Sequence, residues 1–248
     1  MEKQKKICIL IIFSPNANYD KMFPLLHNYY SQFENVIYYF TQMREQESPI
    51  ELDLEKRILY VKGKEAFLTI LKKSLESMKY ILKEHSTEFD FLIRTNISTV
   101  INIDLLSKFL TNVPTSKYYG GGHVHKCTWG TDRRLYGDYY SQGTGIIFSK
   151  DIVEDMCVND DRFEHDIIDD VSFGRYVKKY HGDIFENTDK YTKHLAMHVG
   201  CNCCKKPTEE EIEEKCIFYR NRRWGDRPSD VVAIKQLCKK FAPKAAHI

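Results

Sequence analysis

The chain has 248 residues, of which 42% are hydrophobic and 29% charged, with a formal net charge of +2. This length and composition are sufficient for one α/β domain with a sizeable core, and the small net charge argues against a nucleic-acid-binding protein, which should carry a strong basic excess. No stretch is long and apolar enough to span a bilayer. The basic start followed by apolar residues 7–13 is shorter than a signal-peptide core and lacks a cleavage site, so a soluble, cytoplasmic protein is expected.

The first half of the chain alternates apolar runs with helical spacing. Residues 7–13, 35–40 and 57–61 are rich in apolar and aromatic side chains and are predicted to form strands. Residues 19–33 and 64–85 carry apolar side chains at intervals of three and four, which predicts two helices.

The second half continues the alternation. A strand at residues 91–93 runs into a polar segment, and the elements predicted after it are a helix at 103–110, strands at 118–119 and 145–149, and helices at 151–156, 169–180 and 231–241, the last capped by Ser229. Strands alternating with helices indicate an α/β fold with a mostly parallel sheet covered on both faces. Residues 1–248 are interpreted as one domain, with the charged segment 201–214 as a mobile loop.

The same alternation of strands and helices is typical of dinucleotide-binding proteins. The turns of this chain argue against that class. The turn after the first strand, residues 14–18, has no glycine fingerprint for a diphosphate. The glycines at 120–122 lead into His123 rather than into a helix, and no P-loop lysine turn is present. Nicotinamide and P-loop chemistry are therefore disfavoured.

Three segments carry the candidate chemistry. Residues 94–102 follow a predicted buried strand with a row of polar side chains, at the position where open α/β sheets place their ligands. A glycine turn containing Gly143 and Gly145 leads into an apolar strand, and Asp169 and Asp170 form a carboxylate pair at the start of a helix. A carboxylate pair there is also favoured by the helix macrodipole alone, so the pair by itself does not define a site.

In this order the three segments resemble the Fringe and β1,3-galactosyltransferase superfamily of GT-A glycosyltransferases. Arg94-Thr95 matches that family's Lys-Thr, residues 100–102 match the end of its first motif, and the glycine turn and Asp169-Asp170-Val171 match the second and third. The resemblance covers the middle third of the chain well and implies a GT-A-like sheet. It also implies transfer of a sugar from a uridine diphosphate donor to a glycan or another hydroxyl acceptor.

The resemblance further implies residue roles. Asp170 would be the general base, transfer would invert the anomeric centre, and Asp169 would orient the acceptor hydroxyl or the base. The residues expected to bind the nucleotide sugar are Ser14, Arg94, Asn96, Ser98, Gly143, Gly145, Arg220, Arg222 and Arg227.

The main departure from the family lies at Asn96-Ile97-Ser98, where the family has three aspartates. Asn96 can still accept a hydrogen bond from a ribose hydroxyl. Ser98 is a poor neutral ligand for Mn²⁺ or Mg²⁺, which prefer carboxylate and phosphate oxygens. A divalent cofactor therefore remains an open expectation with a weakened site.

A cluster of four arginines at residues 218–227 offers a replacement for the metal charge, because a guanidinium pairs with phosphate oxygens in a bidentate way. The alternative is a solvated basic turn. His198 follows Asp170 at a distance where the family places a metal-binding histidine, although a lone histidine is more often structural. The cysteines at 201–204 lack the spacing of common zinc sites and favour a loop.

Two further classes of function stay open. A catalytically inactive GT-A-like module that binds a nucleotide sugar, a glycan or a partner protein is supported by Asn96 and Ser98, and opposed by the intact Asp169-Asp170 pair. Nucleotidyl transfer to a sugar phosphate would need two acidic metal ligands and a glycine-rich N-terminal loop, and neither is visible. The sequence does not name the sugar or the acceptor.

Overall fold

The computed structural model describes residues 5–121, 124–128, 132–185, 196–199, 216–221 and 227–243. Its strands are β1 (Ile7–Ile12), β2 (Val36–Arg44), β3 (Ile50–Asp53), β4 (Ile58–Lys62), β5 (Phe91–Asn96), β6 (Thr99–Ile101), β7 (Tyr119–Gly121), β8 (Val124–Lys126), β9 (Tyr139–Ser141), β10 (Gly145–Ser149), β11 (Ala196–Val199) and β12 (Phe218–Asn221). Its α-helices are α1 (Tyr19–Tyr30), α2 (Ile70–His85), α3 (Ile103–Leu110), α4 (Lys150–Val158), α5 (Asp169–His181) and α6 (Arg227–Phe241).

The central sheet has seven strands in the order β3-β4-β2-β1-β5-β10-β7. Strands β4, β2, β1 and β5 are parallel, whereas β3 is antiparallel to β4 and β10 is antiparallel to both β5 and β7. The prediction of a mixed α/β fold with a large, mostly parallel sheet is confirmed. The antiparallel insertion of β10 brings the turn before it to the carboxyl end of β5, because Gly145 pairs with Thr95.

Helices cover both faces of this sheet, as predicted. Alternate residues of β1 face opposite sides, with Ile9 in one buried cluster and Leu10 in the other. The first cluster includes side chains of α1, α3 and α6, and the second includes side chains of α2, α4 and α5. Strands buried on both faces explain why β1 is an uninterrupted apolar run.

A second, three-stranded sheet has the order β11-β12-β6, and a separate hairpin joins β8 to β9. Strand β12 is antiparallel to β6, which follows β5 almost directly, so the C-terminal part of the chain is fixed beside the polar end of β5. The sequence did not predict β6 or β12. Both are short, and β12 contains Arg220 and Asn221, which are not typical strand formers.

Two predicted helix starts were wrong. Helix α2 begins at Ile70 rather than at residue 64, because Gly63 has a φ of +141° and the Glu65 carboxylate binds the backbone N–H of Met43. A 3₁₀ turn, Phe67–Thr69, precedes the helix. Helix α6 begins at Arg227, so Ser229 lies inside the helix and is not its cap.

One strand was missed, and one predicted loop is not tested. Strand β3 was not predicted, and it is an edge strand of four residues that are not fully buried. The segment 201–214, interpreted from the sequence as a mobile loop, lies outside the described residues. Among the described residues, no helix has the length and apolar character that crossing a membrane would require.

The close packing of β12 on β10 generates a stability prediction. A methyl group at Gly145 would lie 2.2 Å from Cε1 of the buried Phe218 ring. Gly145→Ala should therefore reduce the free energy of unfolding by about 1–3 kcal/mol, the usual cost of overpacking, as measured by urea unfolding. Adding Phe218→Leu should recover part of the loss, and an unchanged Gly145→Ala variant would contradict this packing.

Candidate functional site

The strand order predicts a ligand crevice at the carboxyl edge of the sheet. From β1 the chain moves to one side through β2 and β4, and then returns to the other side of β1 as β5. Ligands of open α/β sheets bind at such a reversal of strand order, outside the carboxyl ends of the strands. Ile12 and Asn96 pair at these two ends, so Asn96 and the residues after β1 flank the crevice.

A buried ion pair lies between β5 and the start of α5, beside this edge of the sheet. Arg94 of β5 is 2% exposed, and its Nη2 lies 2.5 Å from Oδ2 of Asp169 at the start of α5. Its Nη1 donates to the carbonyl oxygen of Gly143 at 2.7 Å and to Oδ1 of Asn96 at 3.2 Å. A buried guanidinium is costly unless it is paired and hydrogen-bonded. Here α5 and the glycine turn supply two partners and β5 itself supplies the third, whereas the Nε of Arg94 has no hydrogen-bond partner among the described residues.

The glycine turn packs directly on this arginine. The Asn96 amide donates to the Gly143 carbonyl at 2.6 Å, and the Thr95 hydroxyl donates to the Thr144 carbonyl at 2.6 Å. A Cβ atom at Gly143 would lie 2.4 Å from Nη1 of Arg94. A side chain at 143 would therefore have to displace the Arg94 guanidinium. The turn is held against the end of β5 by three hydrogen bonds.

Asp170 reaches the same turn from the opposite side. Its Oδ2 accepts the Gly143 N–H at 3.3 Å and its Oδ1 accepts the Val171 N–H at 3.0 Å, while the residue stays partly exposed. Burial, together with the charge of Asp169, raises the pKa of Asp170 to about 6, against the opposing effect of Arg94. A carboxyl group with a raised pKa beside a ligand crevice is a candidate proton acceptor near neutral pH.

The arginine cluster is only partly directed at the crevice. Arg220 of β12 donates from Nη1 to the Thr144 hydroxyl at 3.2 Å, which places its guanidinium against the glycine turn. Arg227 is paired with the buried Asp230 at 2.5 Å and donates to the Asn221 carbonyl. Arg222 lies outside the described residues. Of the two cluster arginines that the structure describes, Arg220 is the one that contacts the glycine turn, which Asn96 and Asp170 also contact.

The remaining predicted residues are distributed as follows. Ser14 lies just beyond β1 and donates to Glu65 Oε2 at 3.0 Å. Ser98 is 2% exposed, and its carbonyl accepts the Asn221 N–H at 2.7 Å, so it supports the pairing of β6 with β12. His198 belongs to β11, in register beside Arg220.

Asn96 and Ser98 do not fit a divalent ion. The amide nitrogen of Asn96 is bound to Gly143, and its amide oxygen faces the Arg94 guanidinium, a cation where a second cation would have to bind. Ser98 is buried and neutral. Across the residues with described side chains, no three His, Cys, Asp or Glu groups are arranged to hold a metal.

Sequence reasoning missed two charged residues near this edge. Lys73 of α2 is fully buried, and its Nζ lies 2.8 Å from Oε1 of Glu65, which also binds Ser14. A lysine inside an amphipathic helix and a glutamate in the preceding loop carry no local signal, because only the tertiary fold brings them together.

No protein-family model and no curated protein sequence matches the chain. A solved structure described as a glycosyltransferase involved in the glycosylation of the major capsid of PBCV-1 is similar, with 14% sequence identity and a TM-score of 0.49. The alignment covers 93% of this chain and 99% of that one.

The two neighbouring carboxylates generate a titration prediction. Asp169→Asn should lower the pKa of Asp170, because it removes a nearby negative charge and leaves the opposing charge of Arg94 in place. Carboxyl ¹³C NMR across pH 4–8 measures the change. Asp166→Asn, which removes an exposed carboxylate paired with Arg134, is the matched control and should leave the Asp170 titration unchanged. An Asp170 pKa that stays the same or rises in Asp169→Asn would contradict the electrostatic coupling.

Proposed function

We propose that the protein is a glycosyltransferase that moves a sugar from a nucleoside-diphosphate donor, of the uridine type, to a hydroxyl acceptor. The observation that carries the proposal is that Asn96 and Asp170 hydrogen-bond the same residue, Gly143. Three segments far apart in the sequence thus meet at one crevice, and candidate catalytic groups can share a role only if they converge in this way. The resemblance to the Fringe and β1,3-galactosyltransferase superfamily rests on these same three segments.

The mechanism follows from the position of Asp170. The acceptor hydroxyl attacks the anomeric carbon, the bond from that carbon to the diphosphate oxygen breaks, and the hydroxyl proton passes to the Asp170 carboxylate. Attack opposite the leaving group inverts the anomeric centre. Asp169 is paired with Arg94, so it does not accept this proton. Its role is to position α5 and to influence the pKa of Asp170.

The departing diphosphate needs a positive partner. Arg220 is the best placed, because its guanidinium already touches the glycine turn. Arginine can offset the charge that develops on the phosphate without a metal ion. Arg227 is committed to Asp230, so its contribution to donor binding should be smaller.

A second function, a non-catalytic module that binds a nucleotide sugar or glycan, is favoured by one observation. The Asn96 amide and Ser98 are engaged within the protein at the position where the family carries its aspartates. A panel of nucleotide sugars, tested for thermal stabilisation and for hydrolysis with and without Mn²⁺, separates the two functions. Stabilisation together with turnover supports the enzyme, stabilisation alone supports the module, and neither would contradict both.

Asp170 gives the sharpest test of the chemistry. Asp170→Asn should reduce transfer by about 100-fold or more, as for removal of a general base, while the dissociation constant for the donor changes little. In the parent protein, the rate should rise with pH through a midpoint near 6, where Asp170 ionises, and level off above it. Near-normal turnover in Asp170→Asn would show that Asp170 is not the general base.

Arg220 tests charge neutralisation. Arg220→Ala and Arg220→Gln should both weaken binding of UDP by roughly 10-fold, because the loss of the charge matters even when a hydrogen-bonding side chain remains. Arg162→Ala, which removes an arginine packed on Tyr180, is the control and should bind UDP normally. Activity should depend only modestly on added Mn²⁺. Full activity of Arg220→Ala together with a steep Mn²⁺ requirement would show that Arg220 does not neutralise the diphosphate.

A further inference from the structure

Arg175 of α5 joins the helix that carries Asp170 to the part of the chain before the glycine turn, and the proposed chemistry does not use it. Its Nε donates to Oδ2 of Asp138 at 2.9 Å, and its Nη1 donates to Oε2 of Glu164 at 2.5 Å. Its Nη2 donates to the carbonyl oxygen of Arg134. One guanidinium thus binds three separate positions of the chain, and these contacts form the Arg175 network.

The segment 132–141 is the part of the chain that this network holds against α5. It contains a short 3₁₀ turn and β9, and it ends two residues before Gly143. Apolar side chains of the segment and of α5 share a small buried cluster, which includes Leu135, Tyr140 and Val171. The position of the segment on the helix therefore determines where the glycine turn begins.

A glycine of α5 allows the segment to approach the helix closely. A Cβ atom at Gly174 would lie 2.5 Å from the carbonyl oxygen of Tyr139 and 2.7 Å from the Cβ atom of Tyr140. Gly174 lies one helical turn after Asp170, so β9 crosses the helix near the carboxylate. Burial raises the pKa of Tyr140, and the negative charge of Asp170 acts in the same direction, which agrees with this short separation.

The segment reaches the carboxylate itself through Gly143. The Gly143 N–H donates to Oδ2 of Asp170 at 3.3 Å, a long contact for a bond of this type. Such a bond joins a helix side chain to the backbone of a turn, so its strength depends on how the turn is placed relative to the helix. The Arg175 network determines that placement with charge-assisted hydrogen bonds, which are stronger than neutral ones.

Stability is a weak explanation for the network. The side chains of Asp138 and Glu164 are 26% and 50% exposed, and ion pairs that water can reach contribute little to the free energy of unfolding. The planar fork of an arginine, in contrast, fixes several partners relative to one another, which a lysine cannot do. The network is therefore better explained by the geometry that it imposes on the end of β9 and the turn after it.

We propose that Arg175 is a positioning residue for Asp170. By holding the segment 132–141 against α5, it keeps the Gly143 N–H on one carboxylate oxygen and so fixes the direction of the carboxylate. Each Asp170 oxygen accepts one backbone N–H, which leaves a lone pair on each for the proton of the acceptor hydroxyl. The inference rests on the proposed function, and it adds a residue that acts through the base.

Arg175→Lys is the central test, because it keeps the positive charge and removes the fork. The first measurement needs no substrate. In the parent, the amide NMR signal of Gly143 should shift with pH through a midpoint near 6, because this N–H donates to the carboxylate that ionises there. In Arg175→Lys the size of that shift should fall by roughly half or more, since hydrogen bonds weaken steeply as their geometry is lost.

The second measurement is sugar transfer. In Arg175→Lys, kcat should fall roughly 10-fold, less than in Asp170→Asn, because the base is still present but misplaced. The KM for the donor should change little, because the lost interaction supports the chemical step and not donor binding.

Two further variants sharpen the test. Asp138→Asn keeps the shape of one network partner and removes its charge, so it should reduce the Gly143 shift and kcat in the same direction. This variant keeps the inference testable if Arg175→Lys fails to fold. Arg162→Lys is the matched control: it makes the same exchange in the chain before α5, where the guanidinium packs on Tyr180, and it should behave as the parent in both measurements.

The outcomes separate the inference from the proposed function. If the Gly143 shift and kcat of Arg175→Lys and Asp138→Asn equal those of the parent, the inference is wrong. A lower Tm with an unchanged Gly143 shift and an unchanged kcat would show that the network is purely structural, and it would overturn the inference as well. A parent that transfers no sugar contradicts the proposed function and, with it, the catalytic purpose of Arg175, whereas an intact Gly143 shift in Arg175→Lys contradicts the inference alone.

Discussion

The ion pair between Arg94 and Asp169 is the interaction on which the candidate site depends. It joins the central sheet to the first turn of α5, and the same guanidinium holds the glycine turn and the amide of Asn96. Because the arginine is buried, each contact must be satisfied by the protein itself rather than by water. The location of Asp170 at the crevice is therefore a consequence of how its neighbour is anchored.

The two adjacent aspartates show how environment separates chemically identical groups. Asp169 faces a guanidinium in the protein interior, whereas Asp170 receives two backbone N–H groups and is partly open to solvent. Pairs of carboxyl groups in contrasting surroundings are how many active sites divide structural and proton-transfer roles. The antiparallel insertion of β10 contributes to this division, because it delivers the Gly143 N–H to one carboxylate and the Gly143 carbonyl to the end of β5.

The local sequence pattern was sufficient to predict the bounds of an element that depends mainly on its own apolar surface. The bounds of α3 and β10 follow directly from their spacing. Local patterning failed where contacts with distant residues determine the structure. The start of α2 is shifted because Glu65 binds the backbone of Met43 instead of joining the helix. The arginine-containing β12 forms a strand because it pairs with β6. The motifs predicted that these segments meet at the end of β5, but they could not show that Ser98 is buried or that Arg227 is already paired with Asp230.

The central sheet carries a further consequence for the order of folding. Its final strand order places β10 between β5 and β7, although β7 precedes β10 in the chain. Strand β5 can therefore pair with β10 only after β10 has been synthesised. Strand β6 gains its partner β12 later still. Closing such long loops is entropically slow, and uncovered strand edges expose a nascent chain to aggregation. We therefore expect β12 to dock after the central sheet has formed, so that Arg220 reaches the crevice last.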